Sequence, residues 1–218
     1  RKNPDLKLYE FGNCYYQDPA AAGEKTVERF EEQLHMGIFL SGNSQPGNWV
    51  QKPGTSSFYE LKSFVESVLV KLGIDPFLLE TAGLDNPDFS EGLVYLLNGK
   101  PLVEFGAVSS RLLKQFDIDQ QVFAAEFNWD RILYTLTRHR ILFSPLPRFQ
   151  VVLRDFSMVL DKQVTFESLR SLAFKTERKL LKKVSLFDVY DGEKIEKGKK
   201  SYALSFTLCY LSVCQLPE

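Results

Sequence analysis

Two prolines in four residues, in Ser144-Pro145-Leu146-Pro147, divide this 218-residue chain. Each proline removes a backbone donor and biases the residue before it toward extended structure, so neither a helix nor an interior strand runs through such a stretch. We read it as the boundary between domains at 1–146 and 147–218. Charge changes sign at the same place. From Arg148 onward there are 13 Lys and Arg against 9 Asp and Glu, and before it 14 against 19. The net charge of −1 is thus a cancellation between an acidic part at −5 and a basic part at +4. The near-neutral total gives no global pull toward nucleic acid or membrane, but the second part alone is basic.

The rest of the composition narrows the class. With 44% apolar and 25% charged residues the chain is an ordinary globular protein, which excludes a disordered tail, a collagen and a coiled coil. Cys14, Cys209 and Cys214 are too few and too scattered for a disulfide framework, and their odd number fits a reducing compartment. With no CxxC or HxxxH pair, no metal site is expected. The polar start Arg1-Lys2-Asn3-Pro4-Asp5 lacks the apolar core of a signal peptide, and the longest uncharged run, Ser201 to Pro217, is shorter than the ~20 residues of a membrane helix. A soluble, cytoplasmic protein is expected. The missing initiator Met suggests a piece of a longer protein.

In the first part, Leu6–Tyr16 reads as a strand, Met36–Leu40 as a short apolar run ending in a turn, and Gly42–Gly54 as a loop. Phe58, Leu61, Phe64, Val65, Val68, Leu69 and Leu72 recur at helical spacing. Ser57 and Glu60 form a capping box before them, and Gly73 supplies a left-handed C-cap. Leu93–Leu97 and Leu102–Phe105 flank Asn98-Gly99, a hairpin signal that makes the sheet at least partly antiparallel. A short helix at Arg111–Phe116 and a strand at Gln121–Phe127 follow. In the second part Val151–Leu160 reads as a strand, Phe166–Ala173 as a helix capped by Thr165, and Val184–Tyr190 and Ser201–Tyr210 as two strands. The order β-α-β-β is the opening of a ferredoxin-like unit, incomplete because a closing helix and strand are not there. The expected class is α+β.

Groups that could do chemistry are scarce. His35 and His139 have no nucleophile beside them in sequence, and a surface role is expected for both. Asp85, Asp88 and Glu91 read as solvated turn residues, and Gly106–Arg111 lacks the lysine of a phosphate loop. Lys175, Arg178, Lys179, Lys182 and Lys183 form a dense basic cluster, either a solvated helix end or a contact for RNA phosphates. Asp188 and Tyr190, two apart, share a strand face, and Ser201 lies on the polar face of the next strand. A tyrosine beside an acceptor and a hydroxyl suits single-stranded RNA, which is bound by stacking and read at base edges. A Tyr190 packed on the adjoining loop is the alternative.

Several of these stretches together resemble one family. Leu186-Phe187-Asp188-Val189-Tyr190-Asp191-Gly192, with Gly198-Lys199-Lys200-Ser201 and Arg154-Asp155, is similar to the anticodon-binding domain of the bacterial phenylalanyl-tRNA synthetase β-subunit family. Leu8-Tyr9-Glu10-Phe11-Gly12, Leu40-Ser41-Gly42, Trp49, Phe58-Tyr59-Glu60-Leu61-Lys62, Asn98-Gly99-Lys100, Phe105-Gly106 and Phe116-Asp117-Ile118 follow that family's order. Gln150, Leu153 and Asn86-Pro87-Asp88-Phe89 depart from its pattern. The resemblance implies that 1–146 is a class II synthetase-like module, built on an antiparallel sheet and lacking catalytic residues. It implies that 147–218 is a truncated anticodon-binding domain in which Asp188, Tyr190 and Ser201 touch an anticodon base. Arg154, Lys175, Arg178, Lys179, Lys182 and Lys183 are the candidate phosphate contacts. The implied partners are a catalytic α subunit in an α2β2 enzyme and tRNA(Phe), with ATP and Mg2+ used by the holoenzyme and neither DNA nor membrane involved. A stand-alone RNA-binding module and an oligomerisation protein are the rival readings.

Overall fold

A computed structural model describes residues 3–17, 30–50, 52–138, 150–192 and 195–209. The prolines of the 144–147 stretch, His139, Tyr210 and Cys214 lie outside the described residues. The chain forms two compact units, one within 1–142 and one within 143–218.

The first unit is an antiparallel sheet of six strands in the order β1-β2-β6-β5-β4-β3. The strands are β1 (Leu6–Gln17), β2 (Phe30–Ser41), β3 (Glu80–Gly83), β4 (Phe89–Leu97), β5 (Lys100–Val108) and β6 (Val122–Asn128). Between β4 and β5, Asn98 and Gly99 have φ of 52° and 73°, the two positive values of a type I′ turn. Helix α1 (Phe58–Lys71) covers one sheet face with Leu61, Val65 and Leu69, each wholly buried. Burying a side chain of that size stabilises by roughly 1.5–3 kcal/mol. They meet Met36, Ile38, Leu40, Val103, Phe105, Ala125 and Phe127. The Phe105 ring stacks on Phe58 at 5.6 Å and meets Tyr95 edge-on at 4.9 Å.

The ends of α1 match only partly what the sequence suggests. At its C-terminus Gly73 has φ of 80°, its N–H bonds to the Val70 carbonyl, and the Ile74 N–H bonds to that of Leu69. That is a Schellman motif, with Ile74 and Leu69 both buried. At the N-terminus the Ser57 hydroxyl accepts from the Glu60 N–H at 3.3 Å. The reciprocal half of the expected capping box is replaced. Glu60 Oε1 instead accepts from Lys7 Nζ on β1 at 2.7 Å, because a cation offers a stronger partner than a backbone N–H. Lys7 also donates to the Ser44 carbonyl at 2.7 Å and sits 5.5 Å from the Phe64 ring.

Two further helices complete the unit. Helix α2 (Ser110–Gln115) is capped by Ser109 and followed, after its C-cap Phe116, by Asp117 with φ of 56°. Helix α3 (Trp129–Arg138) is absent from the sequence reading. Its cap is the last residue of β6, Asn128, whose Oδ1 accepts from the Arg131 N–H at 3.0 Å. Its anchor is Ile132, wholly buried.

The second unit is a three-stranded antiparallel sheet ordered β7-β9-β8. Its strands are β7 (Val152–Asp161), β8 (Leu181–Tyr190) and β9 (Lys199–Leu208). Helix α4 (Phe166–Thr176) links β7 to β8, and β9 fills the gap between them, a split β-α-β arrangement. Thr165 caps α4, its Oγ1 accepting from the Ser168 N–H at 3.2 Å. Helix α4 presents Leu169, Leu172 and Ala173 to the sheet face that carries Leu204, Phe206 and Leu208. No described helix is long and apolar enough to cross a membrane.

Candidate nucleic-acid interface

The register of the second sheet decides which side chains share a face. In antiparallel pairing, residues opposite one another point to the same side. Ser201 is opposite Tyr190 on one neighbour and Val159 on the other. Ala203 is opposite Asp188 and Ser157, and Ser205 is opposite Ser185 and Asp155. These residues form the face away from α4. A bulge between Leu186 and Asp188 shifts the alternation of β8 by one, so Ser185, Asp188 and Tyr190 all lie on that face. Apart from Val159 and Leu153 at its β7 edge, it is polar and small-residued, and the Tyr190 ring stands on it.

That ring is partly exposed, with Tyr190 at 42%. One side of it leans on the chain: a β-carbon at Gly192 would collide with the Tyr190 ring and its hydroxyl. Tyr190 therefore packs against the following loop while part of its side chain stays at the surface. Asp191 ties the same loop to Lys162, the residue after β7, whose Nζ is 2.8 Å away. Next to it, Glu196 accepts from Lys199 at 2.6 Å, which lowers the Glu196 carboxyl and raises the Lys199 ammonium. The expected clean alternation of β9 is not seen. Both Tyr202 and Ala203 are buried, because β9 is the central strand.

The basic cluster does not form one helix end. Lys175 is in the last turn of α4, Arg178 and Lys179 are in the connecting turn, and Lys182 and Lys183 are on β8. That turn is built on Glu177, whose Oε1 accepts from the N–H groups of Lys179 and Leu180 at 2.8 and 2.9 Å. These donors hold the Glu177 carboxyl below its ordinary value. Lys182 Nζ donates to the Lys179 carbonyl at 3.1 Å. Lys183 is opposite Thr207 and so lies on the face of Tyr190. Arg154 is opposite Phe206, on the α4 side. The structure thus brings Asp188, Tyr190, Ser201 and Lys183 to one surface and leaves Arg154 on the other.

In the first unit, Asp85, Asp88 and Glu91 do not converge. Asp88 is paired with Arg111 at 3.1 Å, and the Asn86 side chain accepts from the Asp88 N–H at 3.0 Å. His35, expected at the surface, has a side chain only 12% exposed, with Nδ1 on Glu126 Oε1 at 2.6 Å.

Residues 1–129 match the family model described as the phenylalanyl tRNA synthetase beta chain CLM domain, and residues 147–211 match the ferredoxin-fold anticodon binding domain. The phenylalanine–tRNA ligase beta subunit of Bacteroides thetaiotaomicron is 43% identical over 210 residues, which cover 95% of this chain and 26% of that protein. The corresponding protein of Porphyromonas gingivalis is 40% identical over 212 residues, again 95% of this chain and 26% of the relative. That of Listeria monocytogenes is 30% identical over 215 residues, 97% of this chain and 25% of the relative. The chain thus spans about a quarter of the length of these curated relatives.

Proposed function

We propose, from the premise that this chain belongs to the phenylalanyl-tRNA synthetase β-chain family, that it serves an enzyme charging tRNA with phenylalanine by binding RNA and a partner subunit. Residues 147–218 hold the anticodon. Residues 1–146 are a class II synthetase-like module without catalytic groups, packing against a catalytic α subunit in a cytoplasmic α2β2 enzyme. One observation carries the RNA reading: the second sheet has a face, opposite the one that α4 covers, on which Tyr190 and Ser201 stand directly opposite one another, with Asp188 one step along.

On that face Tyr190 stacks an anticodon base, for which base–aromatic stacking contributes roughly 1–3 kcal/mol. Asp188 accepts from a base amino group, and Ser201 donates or accepts at the same edge. Of the basic residues, Lys183 shares the face and contacts phosphate. Lys175, Arg178, Lys179 and Lys182, at the α4–β8 turn, and Arg154, on the α4 side, add a longer-range attraction.

ATP, and the Mg2+ that accompanies it, belong to the α partner in this reading, because the first unit does not fit a triphosphate. Its described arginine side chains are engaged, Arg111 with Asp88 and Arg131 with the Pro101 carbonyl. The groove on the sheet face away from α1 is lined by Glu10, Asp88 and Glu126, which repel a triphosphate.

The test is Tyr190→Ala in the complete enzyme. tRNA affinity, measured by filter binding at fixed salt, falls by about 5- to 150-fold, the range that stacking energies imply. Phenylalanine activation, followed by ATP–pyrophosphate exchange, is unchanged. Equal tRNA affinity in variant and wild type refutes the assigned face.

A further inference from the structure

The face of the first sheet away from α1, part of which α2 covers through Leu113, carries a cluster that the RNA reading does not use. Cys14 is on β1, His35 on β2 and Glu126 on β6. The registers explain why they meet. His35 is opposite Gly12 on β1 and Asn128 on β6, Cys14 is opposite Gln33, and Glu126 is opposite Gly37. Cys14 and Glu126 therefore flank His35 diagonally from its two neighbouring strands, within the reach of such side chains. Two glycines face the cluster from across the pairs, and a β-carbon at Gly12 would have nothing within 4 Å. The thiol, one imidazole nitrogen and one carboxylate oxygen all lie within 4.8 Å of one another.

We propose that these three residues bind a divalent transition metal of the Zn2+ type. The donor set is one soft sulfur, one imidazole and one hard oxygen. This mixture suits Zn2+ and its congener Co2+, whereas Mg2+ and Ca2+ demand oxygen ligands throughout. Tetrahedral Zn2+ holds its donors at about 2.0–2.3 Å, which brings them about 3.3–3.8 Å apart, so side-chain rotations of roughly 1 Å, which also widen the close His35–Glu126 pair, complete the site. His35 Nδ1 and Glu126 Oε1, already 2.6 Å apart, are joined by a hydrogen bond that an ion between them would replace. Three protein donors leave a fourth position, which opens toward a groove of about 480 Å³ lined by all three residues. Water or a small anion completes the coordination there. Around the imidazole, Gln33 Oε1 lies 3.4 Å from Nε2 and is itself held by Asn128 Nδ2 at 2.8 Å, so the ring is oriented. The absence of short ligand motifs does not argue against the site, because the sheet register does the work that spacing does in a zinc finger.

The experiment uses the intact natural protein, stripped with a chelator and titrated with Co2+, then challenged with Zn2+. Wild type should bind one equivalent of Co2+ at this site with a thiolate-to-metal charge-transfer band that Zn2+ abolishes. Cys14→Ser should remove that band and weaken Zn2+ binding by at least about tenfold, while Cys209→Ser, in the other unit, leaves both unchanged. A folded wild type without the band, or a band of equal strength in Cys14→Ser, overturns the proposal. Should circular dichroism show Cys14→Ser unfolded, Glu126→Gln decides: its residue is half exposed and its change isosteric, and unchanged Zn2+ affinity in it overturns the site.

Discussion

Lys183 and Arg154 offer a direct comparison of the two faces of the second sheet, because both are exposed and differ in which side they occupy. Lys183 is opposite Thr207, on the face of Tyr190, and Arg154 is opposite Phe206, on the side of α4. A cation in contact with a phosphate of single-stranded nucleic acid adds roughly 0.7 to the slope of log K against log salt. Replacing Lys183 with Ala should therefore lower that slope by about 0.7. Between 50 and 200 mM salt, a fourfold change, wild type should lose roughly 2.6-fold more affinity than the variant. Arg154→Ala, which removes only a longer-range attraction, should lower the slope by much less. The assay is filter binding of tRNA(Phe) to the complete enzyme at five or six salt concentrations. Equal slopes for wild type and Lys183→Ala, or an Arg154→Ala slope reduced as much as that of Lys183→Ala, would refute the assignment of the RNA to the face of Tyr190.

Phe105→Ala should destabilise the first unit by about 3–5 kcal/mol, read as a lower urea midpoint, because it empties a wholly buried site and removes two ring contacts. Gly106→Ala should cost about 1–3 kcal/mol in the same assay, since its β-carbon would fall on the Glu91 carbonyl and 2.8 Å from the Gly92 Cα. Gly83→Ala, with nothing within 4 Å of its β-carbon, should be tolerated. Glu177 is held below its ordinary value of 4.5, so its bonds to the Lys179 and Leu180 amides support the turn above that pH. That support is lost as pH falls through the lower, folded value. The protection of those two amides from hydrogen exchange, taken relative to the intrinsic rate at each pH, should drop below pH 4.5 in wild type and show no such step in Glu177→Gln.

What the sequence displayed openly was local. The Asn98-Gly99 turn, the apolar period of α1 and the Ser57, Thr165 and Gly73 caps depend on residues within a few positions of one another, and each formed as expected. Tertiary competition accounts for other differences. Glu60 left its capping role for a lysine 53 residues away. Helix α3 went unread because its cap, Asn128, is also the end of a strand, so no loop signal precedes it. Lys182 and Lys183 looked like a helix end, yet Leu181 and Val184 beside them are buried and draw the segment into β8. In the second sheet, strand alternation predicted that Asp188 and Tyr190 share a face. Only the register put Ser201 opposite Tyr190 and separated Arg154 from them. The Cys14, His35 and Glu126 cluster is illegible in one dimension, because its members are joined by two strand pairings and by no motif.

The contact between Tyr190 and Gly192 has a kinetic consequence. A phenol ring free to sample its rotamers must be ordered by each ligand that stacks on it, and immobilising such a side chain costs about 0.5–1.5 kcal/mol. Here the loop does that ordering beforehand, using a residue with no side chain as its support. Any larger residue at position 192 would push the ring, the movable partner, off its rest. If the proposed face holds the RNA, the complex should then form with a weaker grip and a shorter residence time even though every proposed contact group is still present.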